Sequence, residues 1–346
     1  FTEEELLAIE ENSVQEIKKA HKAALKAPDP DAATIFDFVL PEPYQSAKYP
    51  DGTHNQTGEK KKLITALNET LKAEFRHNPD TFIWGQDIAH KEKGGVFNVS
   101  KGMQQEFGAQ RVFNAPIAED FIVGTANGMS RYNEKIRIVI EGAEFADYFW
   151  PAMEQYVDSS HDYWRSNGKF TPNVTIRLAS GGYIGGGLYH SQNIEGSLVA
   201  IPGVRIVYPS FADDAAGLLR TAMRSRCLTM FMEPKALYQD PRAATVIPDD
   251  FEVPFGKARI RKSGNDLTMI TYGNTTHMCL EAAENLEKEG FSVEVIDLRS
   301  LIPLDKETIL NSVKKTNRAL VVHEDKVHGG FGGELVSVIM EEAFEW

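Results

Sequence analysis

Residues 114–131 read NAPIAEDFIVGTANGMSR, and the reading of this stretch decides the fold. Arg111, Val112 and Phe113 before it are short and β-prone, Pro116 cannot continue a central ladder, and Phe121, Ile122, Thr125 and Met129 fall at helical spacing. Glu119 therefore stands where a strand hands over to a helix. Gly124 and Gly128 lie four apart on that helix. Each costs about 1 kcal/mol relative to alanine in a helix interior, so the pair predicts close packing against another backbone. Taken alone, Glu119 is better read as a capping residue, because a helix start stabilises negative charge.

Outward from this stretch the chain alternates helix and strand signals. Helical patterns at 63–76, 99–107, 145–163 and 213–224 separate apolar strands at 81–84, 136–140, 174–178, 204–208 and 228–232. No short hairpin turns interrupt them, which predicts a mostly parallel sheet covered on both faces. After a Pro-bounded stretch at 241–254 the rhythm repeats in strands 267–271, 293–296 and 319–322 with helices 275–288, 305–315 and 331–344. The expected fold class is therefore α/β, with two doubly wound, mostly parallel-sheet domains, the second incomplete because three strands make a small sheet.

Ahead of these domains, residues 2–27 read as one helix that Thr2 caps with Glu5 three residues on. A Pro-rich linker follows, carrying an apolar patch at Ile35, Phe36, Phe38, Val39 and Leu40 that is expected to dock.

A net charge of −13, from 37 Lys and Arg against 50 Asp and Glu, argues against a general nucleic-acid binder. Cys227 and Cys279, the only cysteines, form no CxxC, which fits a reducing, cytoplasmic setting. The acidic start FTEEELLAIEEN is unlike a signal peptide, and no apolar run approaches a membrane span. The first residue is not Met, so a piece of a longer polypeptide is expected.

In an open parallel sheet, ligands bind beyond the carboxyl ends of the strands. Glu119 follows one strand there, Glu144 and Tyr148 follow a second, and His190 follows a third at the end of SGGYIGGGLYHSQ. The glycines of that run allow backbone to approach a ligand closely. They do not spell GxGxxG, and the chain has no GxxxxGK[ST] loop, GxSxG elbow or HExxH pair. His323, Glu324, Asp325 and His328 lack regular ligand spacing and read as a polar loop.

The runs RVFNAPIAEDFIVGTANG, EFADYFWPAMEQ, GGGLYHSQ, PGVRIVYP, MEPKALY, VEVIDLRSLIPLD and GGFGGE together resemble the β subunit of the thiamine-diphosphate-dependent 2-oxoacid dehydrogenases. These are the decarboxylating components of the pyruvate and branched-chain 2-oxoacid complexes. The resemblance implies a pyrimidine-binding domain at 60–240 and a truncated transketolase C-terminal-like domain at 255–346. Residues 1–59 resemble an α-subunit tail and linker, as in an α-β fusion. It implies thiamine diphosphate as cofactor, with Mg2+ held by the missing α-type half and no metal assigned to this chain.

By the same resemblance Glu119 is the glutamate that hydrogen-bonds a ring nitrogen of the aminopyrimidine and favours its imino tautomer. Tyr148, Ile117 and Glu144 line the cofactor pocket, Glu144 standing where branched-chain enzymes carry glutamine. His190 is the histidine that supports decarboxylation and transfer to the lipoyl group. Ala222, Ser225 and Cys227 stand where a family potassium site would want better oxygen donors. The implied partners are an α-type half, a homodimeric or heterotetramer-like assembly and the lipoyl acyltransferase core, with no nucleic acid and no membrane. Two other readings are a non-catalytic pyrimidine-domain binding protein and a transketolase-like sugar enzyme, the latter disfavoured by GLYHSQ and IDLRSLIPLD. Tyr189 beside His190 leans toward branched-chain acids.

Overall fold

The structure, a computed structural model, describes residues 1–46, 48–90, 92–142 and 145–346. It comprises two compact units, Phe1–Asp37 and Phe38–Trp346. The first is built on helix α1 (Glu3–Ala24), whose capping box closes as its sequence predicts. The Thr2 amide donates to Glu5 Oε2 at 2.7 Å and the Glu5 amide to Thr2 Oγ1 at 3.2 Å. The apolar patch is divided: Ile35 and Phe36 are exposed, whereas Phe38, in the second unit, meets Tyr163 edge-on at 5.7 Å.

The second unit opens with β1 (Lys60–Lys61), α2 (Leu63–His77), β2 (Thr81–Gly85), α3 (Met103–Phe107), β3 (Val112–Asn114), α4 (Glu119–Tyr132) and β4 (Arg137–Glu141). It continues through α5 (Met153–Ser160), α6 (Asp162–Arg165), β5 (Asn173–Ser180), α7 (Glu195–Leu198), β6 (Val204–Val207), α8 (Ala212–Arg224), β7 (Cys227–Pro234) and β8 (Thr245–Val246). Then come β9 (Arg259–Lys262), β10 (Leu267–Thr271), α9 (Asn274–Lys288), β11 (Val293–Asp297), β12 (Ser300–Ile302), α10 (Lys306–Thr316), β13 (Ala319–Val322) and α11 (Gly332–Glu342).

The main sheet has seven strands in the order β12-β6-β7-β5-β4-β2-β3. All pair parallel except β12, which runs antiparallel to β6. Strands β5 and β7 are buried along their whole length, as central parallel strands covered on both faces must be. The second sheet, β13-β10-β11-β9, has four strands rather than the three expected. Its extra member, β9, pairs antiparallel with β11 and reads RIRK, a charged edge strand with little apolar alternation to reveal it.

Two helices differ from their sequence patterns. The 145–163 pattern is broken: residues Ala146–Ala152 form a 3-10 turn containing Pro151, which has no amide to donate, and α5 and α6 follow. The 99–107 pattern shortens to α3 because Gly102 takes a left-handed φ of 79° immediately before it.

Within the second unit the two sheets are tied together by buried charge. Arg299 donates to Asp214 Oδ1 at 3.1 Å, and Arg261 bonds both Asp214 and Asp297. Asp213 and Asp214 lie in the first turn of α8, whereas Arg261 and Arg299 come from the second domain.

Candidate active site

Strand β3 lies beside β2, and the Ala115 amide still donates to the Gly85 carbonyl at 2.8 Å. The chain then turns sharply, with the Ala118 amide on the Pro116 carbonyl at 2.9 Å, and Glu119 begins α4. Its side chain is only 7% exposed. Gln86, the residue directly after β2, donates its amide to Glu119 Oε1 at 3.1 Å, and Oε2 has no partner among the described residues. Tyr156 on α5 buries its hydroxyl without a hydrogen-bond partner among the described residues. Burial first, and then the charge of Glu119, push its pKa well above the ordinary value.

A second cluster forms where β4, β5 and β7 end. The His190 ring stacks on Phe145, centroids 4.1 Å apart at 23°, and meets Tyr148 at 4.7 Å. His190 Nδ1 is buried without a hydrogen-bond partner among the described residues, as are both carboxyl oxygens of Asp147. Lys235, immediately after β7, donates to the His190 carbonyl at 2.7 Å and lies 4.8 Å from the Phe145 ring centroid. Desolvation lowers its pKa to about 8 against the pull of Asp147 and Glu324.

Glu119, Tyr148 and His190 thus occupy the carboxyl edge of neighbouring strands β3-β2-β4-β5. Tyr148 is 44% exposed and Ile117 83%. Glu144 lies outside the described residues. The glycine pair of α4 does not make the backbone contact expected of it: a Cβ on Gly124 would meet the Gln155 side chain, and one on Gly128 would meet nothing within 4 Å. The outer face of the helix is open there. A cavity of about 500 Å³ lies at the other end of the sheet, against Thr81 at the start of β2 and Arg137 at the start of β4. The edge rule for parallel sheets favours the carboxyl side.

Beneath the edge, Arg177 of β5 bridges its neighbouring strands. It donates to Glu141 of β4 at 2.5 Å and to Glu233 of β7 at 2.7 and 2.9 Å, and Tyr238 completes Glu233 at 2.6 Å. Burial works against the Arg177 charge, but Glu233 and Glu141 outweigh it and its pKa is raised.

Gln86, Phe145, Asp147, Tyr156 and Lys235 escaped the sequence reading. Gln86 and Lys235 each directly follow a strand, so the rule that selected Glu119 also covers them.

Residues 59–241 match the model of the transketolase pyrimidine binding domain and residues 256–346 that of the transketolase C-terminal domain. The fold is shared with a solved split-gene transketolase, an inactive β4 tetramer, at a TM-score of 0.65 and 22% identity over 83% of this chain and 86% of that one. The architecture is thus that of the transketolase-type α/β proteins.

Among relatives, the 2-oxoisovalerate dehydrogenase subunit beta of Bacillus subtilis (strain 168) is 38% identical over 279 residues, 80% of this chain and 84% of that protein. The pyruvate dehydrogenase E1 component subunit beta of Staphylococcus aureus is 39% identical over 282 residues, 81% of this chain and 85% of that one. The chain belongs to the family of 2-oxoacid dehydrogenase E1 β subunits.

Among the described residues no helix is long and apolar enough to cross a membrane, and no group of three or more His, Cys, Asp or Glu side chains is placed to hold a metal ion. The residues present fit the pyrimidine part of thiamine diphosphate. A mostly buried carboxylate keeps one oxygen without a partner among the described residues, and partly exposed aromatic surface lies along the same edge.

Proposed function

We propose that this chain supplies the pyrimidine side of a thiamine-diphosphate site shared with an α-type partner. The enzyme so formed decarboxylates a 2-oxoacid oxidatively and passes the acyl group to a lipoyl domain. The observation that carries the reading is Glu119 at the start of α4, with Gln86 on one carboxyl oxygen and the other left for a ligand.

Bound thiamine diphosphate supplies the electron sink that loss of carbon dioxide requires. Glu119 presents its second oxygen to a ring nitrogen, and Gln86 fixes the rotamer from which it does so. Tyr148 and Ile117 offer apolar surface to the ring. His190, seated on Phe145, acts on the substrate side. The diphosphate and its Mg2+ are the partner's to hold. Pairs of such halves assemble as a heterotetramer and serve a lipoyl acyltransferase core. The setting is cytoplasmic, in keeping with two free, buried cysteines.

The test is co-expression with the α-type partner, followed by carbon dioxide release from 2-oxoisovalerate and from pyruvate with thiamine diphosphate and Mg2+. Cofactor-dependent turnover of either acid supports the reading. Silence with both moves the chain to a non-catalytic pyrimidine-domain role.

A further inference from the structure

The loop after β13 carries Glu324, Asp325 and Lys326, and all three reach from the second domain to the segment of the first that bears His190. The Gly182 amide donates to Glu324 Oε1 at 2.7 Å, the Gly196 amide donates to Asp325 Oδ2 at 3.0 Å, and the Lys326 ammonium donates to the Asn193 carbonyl. The stem of the loop closes on itself where the Gly181 amide meets the Gln192 carbonyl at 3.3 Å. Between the stem and His190, which Lys235 and Phe145 hold, the tip is open: Tyr183, Leu188 and Tyr189 are exposed, and a Cβ on Gly185 or Gly187 would touch nothing within 4 Å.

Two glycines make room for these carboxylates. A Cβ on Gly181 would stand 2.7 Å from Glu324 Oε1, and Gly181 has a φ of +84°. A Cβ on Gly196 would stand 2.7 Å from Asp325 Oδ2 and 2.2 Å from the Gly329 carbonyl. Glu324 makes no ion pair among the described residues; its charge is directed at a backbone amide. The fastening is therefore built from both sides, by acids on one domain and by glycines on the other.

We propose that Glu324 and Asp325 are positioning residues for His190. The second domain grips both feet of the glycine-rich loop, so that the histidine is presented against Phe145 and Tyr148. The importance of His190 rests on the function proposed above; the grip itself does not.

The experiment compares the parent chain, alone and assembled with its α-type partner, with Glu324→Ala, Asp325→Ala and Glu324→Gln. Hydrogen exchange across residues 181–197 of the free chain is expected to rise roughly tenfold in the two alanine variants, with β5 and α4 unchanged. Chymotryptic cleavage at 183–189 should accelerate in parallel. Glu324→Gln, whose amide oxygen still accepts from Gly182, should restore parental exchange. In the assembled enzyme the alanine variants should lose roughly tenfold in kcat for the 2-oxoacid with a smaller change in KM, and Glu324→Gln should recover most of it.

Parental exchange in both alanine variants overturns the grip whatever the turnover. A loosened loop with parental kcat overturns the positioning of His190. A parent complex that turns over no 2-oxoacid sinks the proposed function instead, and the exchange readout still decides the grip.

Discussion

Gln86 donates its side-chain amide to Glu119 Oε1 at 3.1 Å, joining the end of β2 to the start of α4 through one carboxylate. Glu119→Gln keeps the shape but removes the acid. In the assembled enzyme we expect kcat/KM for the 2-oxoacid to fall by about 100-fold or more, with unchanged circular dichroism. Gln86→Ala, which frees the carboxylate without removing it, should cost roughly tenfold. Parental activity in Glu119→Gln would remove this residue from the mechanism.

Arg177 is 2% exposed and is the shared partner of Glu141 and Glu233. Arg177→Met leaves two carboxylates in the sheet without their cation. The expected loss is about 3–5 kcal/mol of unfolding free energy, read from urea denaturation. A change below about 1 kcal/mol would mean that water or protonation already satisfies those acids.

Glu195 is buried, with Oε1 accepting from Asn193 at 2.9 Å and Tyr272 at 3.0 Å. Burial, and then the charge of Asp325, raise its pKa from 4.5 to about 7. The fold therefore favours the protonated acid. Its contribution to stability is fully present below about pH 4.5 and is lost as pH rises through about 7. A rise of that size corresponds to about 3 kcal/mol. Glu195→Gln, neutral throughout, should be more stable than the parent at about pH 8 and close to it at about pH 4. A pH-independent difference in thermal midpoint across that window contradicts the expectation.

Gly128 sits on α4 with free space where a Cβ would go, whereas a Cβ on Gly124 would lie 3.0 Å from Gln155 Oε1. In the free chain Gly128→Ala should stabilise by about 1 kcal/mol through helix propensity alone. Gly124→Ala should gain less because Gln155 must move. Differential scanning calorimetry of the free chain distinguishes the two, and destabilisation by Gly128→Ala would show that the open face is already occupied in solution.

The sequence made the βα rhythm legible because parallel strands buried on both faces are apolar runs, as in 174–178 and 228–232. The place of Glu119, where a strand hands over to a helix, is legible because Pro116 ends the strand pattern just before it; its role beyond a cap comes from the family resemblance. What escaped has a common cause. Strand β9 is charged, β12 is three residues long, and Gln86 and Lys235 gain meaning only from neighbours distant in sequence. The tyrosine hydroxyls and carboxylates around Glu195 likewise look like surface chemistry until the fold buries them.

Strand β12 belongs by sequence to the second domain, yet it pairs Ser300 with Val207 and Ile302 with Ile206 in the first sheet. A cut between the domains would therefore not yield two finished pieces. It would bare one flank of β6, whose unpaired amides and carbonyls are a template for another chain, and the severed half would be prone to aggregate by strand addition.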